Sequence, residues 1–135
     1  MTLIDTNILF DLATKDSEWW EWSLDSIKNA ALTGPLYINA VIYAELSARY
    51  EQAADVDEFV AIAGVQFADV PRAAAFFAAK AFGSYRAAGG TKTGVLSDFF
   101  IGAHALALDI PILTRDVRRY RTYFPTVRLI APQMN

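Results

Sequence analysis

The feature that most constrains the fold of this chain is the alternation of short apolar runs with longer stretches of helical periodicity. Helix-start and helix-stop residues, such as Asp5 and Gly89-Gly90, mark the ends of the helical stretches. Short apolar strands that alternate with helices are typical of a parallel sheet covered on both faces. The sequence therefore predicts an α/β fold, a three-layer sandwich with a central, mainly parallel, short-stranded sheet. The predicted strands are Leu3–Ile4, Leu36–Asn39, Val65–Phe67, Ile112–Thr114 and Val127–Ile130.

Composition is consistent with a single domain that spans residues 1–135. Apolar residues make up 54% of the chain and charged residues 20%, which is typical of a globular protein. The chain has no cysteine, so disulfides and thiolate metal sites are excluded, and its one histidine leaves little scope for zinc. The net charge of -3 counts mildly against a nucleic-acid binder, although the distribution of charge matters more than its sum.

The start of the chain and its hydropathy favour a cytoplasmic protein, by elimination. The segment Met1 to Asp5 lacks a basic region and reaches a charge at once, unlike a signal peptide. The longest uncharged apolar stretch, Phe99 to Leu108, is far shorter than the ~20 residues that span a membrane. No association with a membrane is therefore expected.

Four carboxylates fall at predicted strand ends or on apolar helix faces: Asp5, Glu45, Asp98 and Asp116. Each has a simpler explanation when taken alone, since Asp5 suits a helix cap and Asp98 the first turn of a helix. All four, however, fit one edge of one parallel sheet, and such sheets bind ligands beyond the carboxyl ends of their strands. A buried carboxylate needs a cationic partner. The joint pattern therefore favours a divalent metal site.

The chemistry of such a site points to hydrolysis of a phosphodiester. Carboxylates with hydroxyl and amide groups nearby suit Mg²⁺ or Mn²⁺, which activates water and stabilises charge on a phosphate. Basic side chains concentrate near two of the acids and are predicted to bind the phosphates of a substrate. These side chains are Arg115, Arg118, Arg119 and Lys92.

Two predicted helices carry members of this acidic set. One runs from Ala40 to Tyr50 and contains Glu45, and the other runs from an N-cap at Ser97 to Leu108. His104 lies in the middle of the second helix among small apolar residues, and we expect it to be a packed, structural histidine.

In their order and spacing, these motifs resemble the PIN domain. The motifs are Asp5-Thr6-Asn7 after the first strand, Glu45 in the helix after the second strand, Ser97-Asp98 at the start of a late helix, and Thr114-Arg115-Asp116 after a strand. The resemblance covers essentially the whole chain. The length of the chain is similar to that of the VapC-type toxins of bacterial toxin–antitoxin pairs.

The resemblance implies a metal-dependent endoribonuclease with Mg²⁺ or Mn²⁺ as its cofactor. Asp5, Glu45 and Asp98 would bind the metal, and Asp116 would complete the catalytic site. Residues that would orient these carboxylates are Asn7, Ser97 and Thr114. The resemblance also implies an RNA substrate, a cognate antitoxin protein as partner, and a homodimer. Many relatives have a further acid near the fourth position, where this chain has Asp116 alone, so one or two metals remain open.

Two tryptophans are candidates for a surface that binds the antitoxin. Trp19 and Trp22 lie three residues apart on a predicted helix, where they would form an apolar groove for a partner helix. Packing in the core or across a dimer explains them equally well.

Two other function classes stay open at this point. One is a non-catalytic PIN-like module that binds RNA or protein, against which the retention of all four acids counts. The other is a metal-dependent phosphatase, which would need a second Asp two residues after Asp5, where this chain has Asn7.

Overall fold

The structure, a computed structural model, describes residues 1–92 and 94–133. In these ranges five strands alternate with seven helices. The strands are β1 (Thr2–Ile4), β2 (Leu36–Ile38), β3 (Val65–Phe67), β4 (Ile112–Leu113) and β5 (Leu129–Ile130). The helices are α1 (Thr6–Thr14), α2 (Trp20–Thr33), α3 (Ala40–Ser47), α4 (Ala53–Ala63), α5 (Arg72–Ala87), α6 (Leu96–Leu108) and α7 (Arg118–Tyr123).

The strands form one parallel sheet in the order β3-β2-β1-β4-β5. The predicted α/β class with a central, short-stranded parallel sheet is therefore confirmed. The order reverses at β1, because the chain moves outward through β2 and β3 and later returns to place β4 on the other side. Ligand sites of open α/β sheets lie at such a reversal, beyond the carboxyl ends of the strands.

The register of β1 against β4 brings the first residues after these two strands next to each other at this reversal. Leu3 pairs with Ile112 and Ile4 with Leu113, so Asp5 and Thr114 leave neighbouring strands at the same level. The Asp5 backbone N–H donates to the Leu113 carbonyl at 2.9 Å. Both strands are fully buried in the core, which fixes the register by hydrophobic packing.

Side chains at helix starts explain two of the helix boundaries near the sheet edge. The Asp5 carboxylate accepts from the Thr6 N–H at 2.7 Å and caps α1. The Asn39 side chain accepts from the Ile42 N–H at 3.0 Å and caps α3. Capping by polar residues that directly follow β1 and β2 makes each turn short, so the functional positions of both helices stay next to the sheet.

Several predicted boundaries were wrong: all strands except β3 differ by one or two residues at one end, and two of the predicted helix boundaries differ as well. The third helix ends at Ser47 and not at Tyr50. Ser97 is not the cap of α6, because that helix begins at Leu96 and has no side-chain cap. The Ser97 hydroxyl donates to Glu45 at 3.1 Å instead.

The helix α6 lies at the centre of the helical packing, in contact with α3, α5 and α7. Ile101, Ala103 and Ala105 are completely buried on it. Gly102 is required there, since a Cβ at this position would lie 2.4 Å from the ring of the buried Phe124. Within the described ranges, no helix is both long and apolar enough to cross a membrane.

Candidate active site

Asp5 is the most buried acid at the sheet edge, with 5% of its surface exposed. Its Oδ1 is occupied by the cap of α1, and its Oδ2 accepts hydrogen bonds from the hydroxyls of Thr114 and Tyr120, both at 2.8 Å. The Asn7 amide lies at 3.4 Å from the same oxygen. Asp5 is therefore held in one orientation by groups from the loop after β4, from α7 and from its own helix.

Burial raises the pKa of Asp5 from 3.8 to about 6, and the nearby charge of Asp98 adds to the effect. The hydrogen bonds from Thr114, Tyr120 and the Thr6 N–H lower the pKa, but they do not offset the loss of solvation. Without a cation, this carboxylate is thus destabilised in its charged form. A positive charge placed beside it would reverse the effect.

Glu45 reaches the same edge from α3 and is held by two hydroxyls. Its Oε1 accepts from Thr6 at 2.7 Å and its Oε2 accepts from Ser97 at 3.1 Å. These contacts tie α3 to the starts of α1 and α6. Glu45 therefore lies between the helices that carry Asp5 and Asp98.

Asp98 lies in the first turn of α6 and binds an arginine. Its Oδ2 accepts from the Arg119 guanidinium at 2.9 Å, and the two side chains are 31% and 24% exposed. Burial raises the pKa of Asp98, and the charges of Glu45 and Asp116 raise it further, while Arg119 lowers it. The acids thus repel one another, and Arg119 supplies a partial counter-charge.

Asp116 is the most exposed of the acids, with a side-chain exposure of 54%. It follows Thr114, whose hydroxyl donates to Asp5 and accepts from the Asp116 N–H at 3.1 Å. Asn7 stabilises the same loop, since its Oδ1 accepts from the Arg115 N–H at 3.1 Å. The three predicted orienting residues, Asn7, Ser97 and Thr114, therefore all contact an acid of the set.

All four acids line one cavity of about 170 Å³ at the switch point of the sheet. The cavity has room for an ion with several waters, since a water occupies about 30 Å³. Its other lining residues are Thr6, Asn7, Phe10, Arg119 and Tyr120. The structure thus brings together the four acids that the sequence singled out.

The donor set of this cavity fits a hard divalent cation such as Mg²⁺ or Mn²⁺. The donors are carboxylate oxygens, and burial raises the pKa of both Asp5 and Asp98, so a cation beside them would stabilise their charged forms. Within residues 1–92 and 94–133, no three acidic or histidine side chains already stand around one metal position.

Sequence reasoning missed two hydroxyls that orient the acids, those of Tyr120 and Thr6. Tyr120 is 2% exposed and donates to Asp5, and Thr6 donates to Glu45. Burial and the adjacent Asp5 raise the pKa of Tyr120 well above its ordinary value, so its hydroxyl remains a donor. The sequence signal for Tyr120 was its place in a predicted helix, because a tyrosine on the buried face of a helix needs a polar partner for its hydroxyl.

The structure places Arg115, a predicted substrate-binding residue, against the buried carboxylate of Asp11. Its guanidinium makes two hydrogen bonds to Asp11, at 2.6 and 2.8 Å, and Asp11 is only 2% exposed. Asp11 also accepts from the buried Ser23 hydroxyl at 2.6 Å. The Arg115 guanidinium lies 5.1 Å from the Trp19 ring centre. Because its Nε and Nη2 donate to a buried carboxylate, Arg115 links the β4–α7 loop to α1, and its role in substrate binding stays a prediction.

The other predicted substrate-binding cations lie together. Lys92, Arg118 and Arg119 line a second cavity, and Arg119 lines the acidic cavity as well.

Trp19 and Trp22 are half-buried and pack edge to face, with ring centres 6.0 Å apart. A role for the two tryptophans in antitoxin binding stays a prediction.

His104 is fully buried and supports the start of α3. Its Nδ1 lies 3.0 Å from the Asn39 amide nitrogen, and Asn39 caps the helix that carries Glu45. Burial lowers the pKa of His104, which favours the neutral ring. These contacts match the packed, structural histidine expected from the sequence.

Comparison with known proteins agrees with this architecture. The sequence pattern of the family described as PIN domain matches residues 2–125. The fold is similar to VapBC2 from Rickettsia felis bound to a promoter DNA fragment (TM-score 0.74, 16% identity, 98% of each chain covered). It is also similar to VapBC-1 from nontypeable Haemophilus influenzae (0.71, 16%, 96% of each chain) and to a toxin–antitoxin complex from Klebsiella pneumoniae (0.65, 20%, 100% of each chain). No curated protein is significantly similar in sequence.

Proposed function

The chain belongs to the PIN domain family, and we propose that it is a metal-dependent endoribonuclease that hydrolyses phosphodiester bonds of RNA. The observation that carries the proposal is the single cavity at the sheet reversal, where four acids meet and the buried Asp5 has a pKa of about 6. A site of this kind, with carboxylates as the candidate metal donors and hydroxyl and amide groups beside them, suits Mg²⁺ or Mn²⁺ and hydrolytic chemistry.

In the proposed mechanism, Asp5, Glu45 and Asp98 would hold the metal, and Asp116 would complete the site at its exposed side. The bound ion supplies an activated water and stabilises the charge that develops on the phosphate. Thr114 and Tyr120 hold Asp5 in place, and Ser97 and Thr6 hold Glu45. These hydroxyls keep the acids oriented before substrate arrives.

Arg119 has two roles in this proposal. Before the metal binds, its guanidinium neutralises part of the charge of Asp98. If Asp98 held a metal, Arg119 would be free to contact a phosphate of the RNA at the rim of the same cavity. Lys92 and Arg118 extend the basic surface on that side.

We further propose that the protein is the toxin of a toxin–antitoxin pair, with a cognate antitoxin as partner. Support comes from the structures with which it shares its fold, which are described as toxin–antitoxin or VapBC complexes. Trp19 and Trp22 are the proposed antitoxin contacts. A homodimer is proposed through α5, on which Phe76 and Phe77 are 60% and 37% exposed.

The experiment that tests the nuclease proposal is cleavage of a panel of structured RNAs by the purified protein. We expect cleavage with Mg²⁺ or Mn²⁺ and none with a chelator, because the acids alone supply no activated water. Metal binding should be followed in parallel by calorimetry. Cleavage that is equally fast in chelator contradicts the metal-dependent mechanism.

The same experiment separates the alternatives. A folded protein that neither cleaves RNA nor binds Mn²⁺ would favour the non-catalytic binding module. Hydrolysis of small phosphomonoesters without RNA cleavage would favour the phosphatase.

Replacing Tyr120 by Phe should reduce the rate of RNA cleavage by about 10-fold to 100-fold, because Asp5 loses a hydrogen bond that orients it. This hydrogen bond also lowers the pKa of Asp5, so its removal should move the acidic limb of the pH–rate profile to higher pH. The measurement is kcat/KM from pH 5 to 9. Tyr50→Phe is the control, since Tyr50 packs against Phe59 away from the acids. An unchanged profile in Tyr120→Phe would contradict this role.

A further inference from the structure

The β4–α7 loop, which carries Asp116, is held to the rest of the fold through the residue just before this acid. The side chain of Asp116 is 54% exposed, and its ion pair is with the exposed Arg118 guanidinium at 3.5 Å, a kind of contact that contributes little. The position of the Asp116 carboxylate therefore depends on the backbone of the loop. Consecutive Cα atoms are only about 3.8 Å apart, so the placement of Arg115 largely determines that of Asp116.

Arg115 is fixed at both its backbone and its side chain. Its N–H donates to the Asn7 side chain at 3.1 Å. Its guanidinium makes a two-point contact with Asp11, from Nε at 2.6 Å and from Nη2 at 2.8 Å. Such a fork fixes the plane of the guanidinium as well as its position. The guanidinium also lies over the Trp19 ring, 5.1 Å from its centre.

Asp11 is an anchor that lies outside the acidic cavity, where the four acids meet. It is 2% exposed on α1, and the fully buried Ser23 of α2 donates to it at 2.6 Å. Of the residues that the structure describes, those that line the acidic cavity do not include Asp11. The connection from Asp11 to the site therefore runs through Arg115 and the backbone of the β4–α7 loop.

Stability alone is a poor explanation for a buried ion pair of this kind. Removing two charges from water costs about as much as their attraction returns, and an apolar pair of similar volume is often equally stable. What the ion pair supplies, and an apolar contact does not, is a fixed direction for the loop. Groups one step removed from a metal site act in this way when they orient the residues that bind the metal.

We propose that Asp11 and Arg115 are positioning residues of the active site, which hold the β4–α7 loop so that the Asp116 carboxylate lines the cavity beside the other three acids. The proposal rests on the proposed nuclease function, because Asp116 acts only within that site. In this role Arg115 acts through Asp116. A direct contact of Arg115 with RNA is the competing prediction, and kinetics separate the two.

The test variant is Asp11→Asn with Arg115→Met, which removes the ion pair and leaves neither charge buried alone. It loses one acid and one base, so the net charge stays at -3 and the attraction of RNA to the protein as a whole is unchanged. The matched control is Asp69→Asn with Arg72→Met, which makes the same two changes at exposed positions near the start of α5. Urea unfolding checks that both proteins are folded.

Hydrogen exchange of the metal-free protein, followed by NMR, reports on the loop without any contribution from metal or substrate. The Asp116 N–H donates to the Thr114 hydroxyl at 3.1 Å, and its exchange should be about tenfold faster in the test variant than in the wild type. The Asp5 N–H, which donates to the Leu113 carbonyl inside the sheet, should change no more than the measured loss of global stability allows. Unchanged exchange at Asp116 overturns the proposal.

Cleavage of RNA in saturating Mg²⁺ or Mn²⁺ should show a kcat that is about tenfold lower in the test variant, with a KM within about twofold of the wild type. The control should match the wild type in both constants. A raised KM with an unchanged kcat would mean that Arg115 contacts RNA. Wild-type values of both constants would mean that the ion pair serves stability alone. Either result overturns the positioning role.

Arg115→Lys separates charge from geometry. Lysine keeps a positive charge beside Asp11, so the protein is expected to remain folded, but its single ammonium cannot form the two-point contact. A loss of kcat of about threefold or more is expected, and a wild-type kcat contradicts the geometric role. Absence of RNA cleavage by the wild-type protein would count against the nuclease function. Normal cleavage by the wild type with unchanged Asp116 exchange in the test variant would count against the positioning role alone.

Discussion

Asp5→Asn is expected to reduce the rate of RNA cleavage by at least ~100-fold, because it removes the buried carboxylate of the proposed metal site. The substitution nearly preserves shape. An Asn oxygen still accepts from the Thr6 N–H, and the rotatable hydroxyls of Thr114 and Tyr120 can accept from its amide group. The loss should therefore reflect chemistry and not misfolding. The measurement is single-turnover cleavage in saturating Mg²⁺ or Mn²⁺.

The same substitution should stabilise the metal-free protein at pH 8. The pKa of Asp5 is about 6 in the folded chain and 3.8 ordinarily, so the folded state retains its proton where the unfolded state has lost it. The stabilisation that this proton provides is present below pH 3.8 and is lost as the pH rises through about 6. Asn removes this dependence and should raise the free energy of unfolding at pH 8 by up to about 3 kcal/mol.

Urea unfolding with chelator, at pH 4 and pH 8, measures this gain. The wild-type protein should become less stable relative to Asp5→Asn as the pH rises. Added Mn²⁺ should stabilise the wild-type protein and leave the variant unchanged, since a ligand stabilises only the state that binds it. A variant that is less stable than the wild type at pH 8 without metal would contradict the proposed electrostatics of Asp5.

Arg115→Met is expected to lower the free energy of unfolding by roughly 3–5 kcal/mol, because it leaves a buried charge without its partner. Asp11 is 2% exposed and receives two hydrogen bonds from Arg115, so among the described side chains only the Ser23 hydroxyl would still donate to it. The methionine keeps much of the apolar contact with Trp19. Urea unfolding at pH 7 measures the loss.

Two further variants test the cause of this loss. Asp11→Asn in the Arg115→Met protein should restore much of the stability, because the unpaired charge is gone while the contact with Ser23 can persist. Arg121→Met, at an exposed position of α7, should change stability by no more than about 0.5 kcal/mol. If Arg115→Met is as stable as Arg121→Met but binds RNA weakly, Arg115 is a substrate contact after all.

The position of Asp5 in the fold could be predicted from the sequence, whereas the contact between Arg115 and Asp11 could not. Asp5 could be placed at the carboxyl edge of the sheet because it follows an apolar strand, and the pattern that reveals such a strand is local. The same is true of Glu45, Asp98 and Asp116, whose positions relative to strands and helices brought them to one edge. Once the parallel sheet is predicted, its carboxyl edge follows from the chain direction.

The sequence by itself thus determined the fold class, the strands and the meeting of four acids at one edge. Only the tertiary structure decided which groups hold those acids. The hydrogen bond from Tyr120 to Asp5 joins residues 115 positions apart in sequence, and the one from Arg115 to Asp11 joins residues 104 positions apart. Periodicity reports which face of a helix is buried, but not what the opposite element presents to it. For that reason Arg115 and Arg119, both arginines beside Asp116 in sequence, could be separated into a structural link and a cavity wall only in three dimensions.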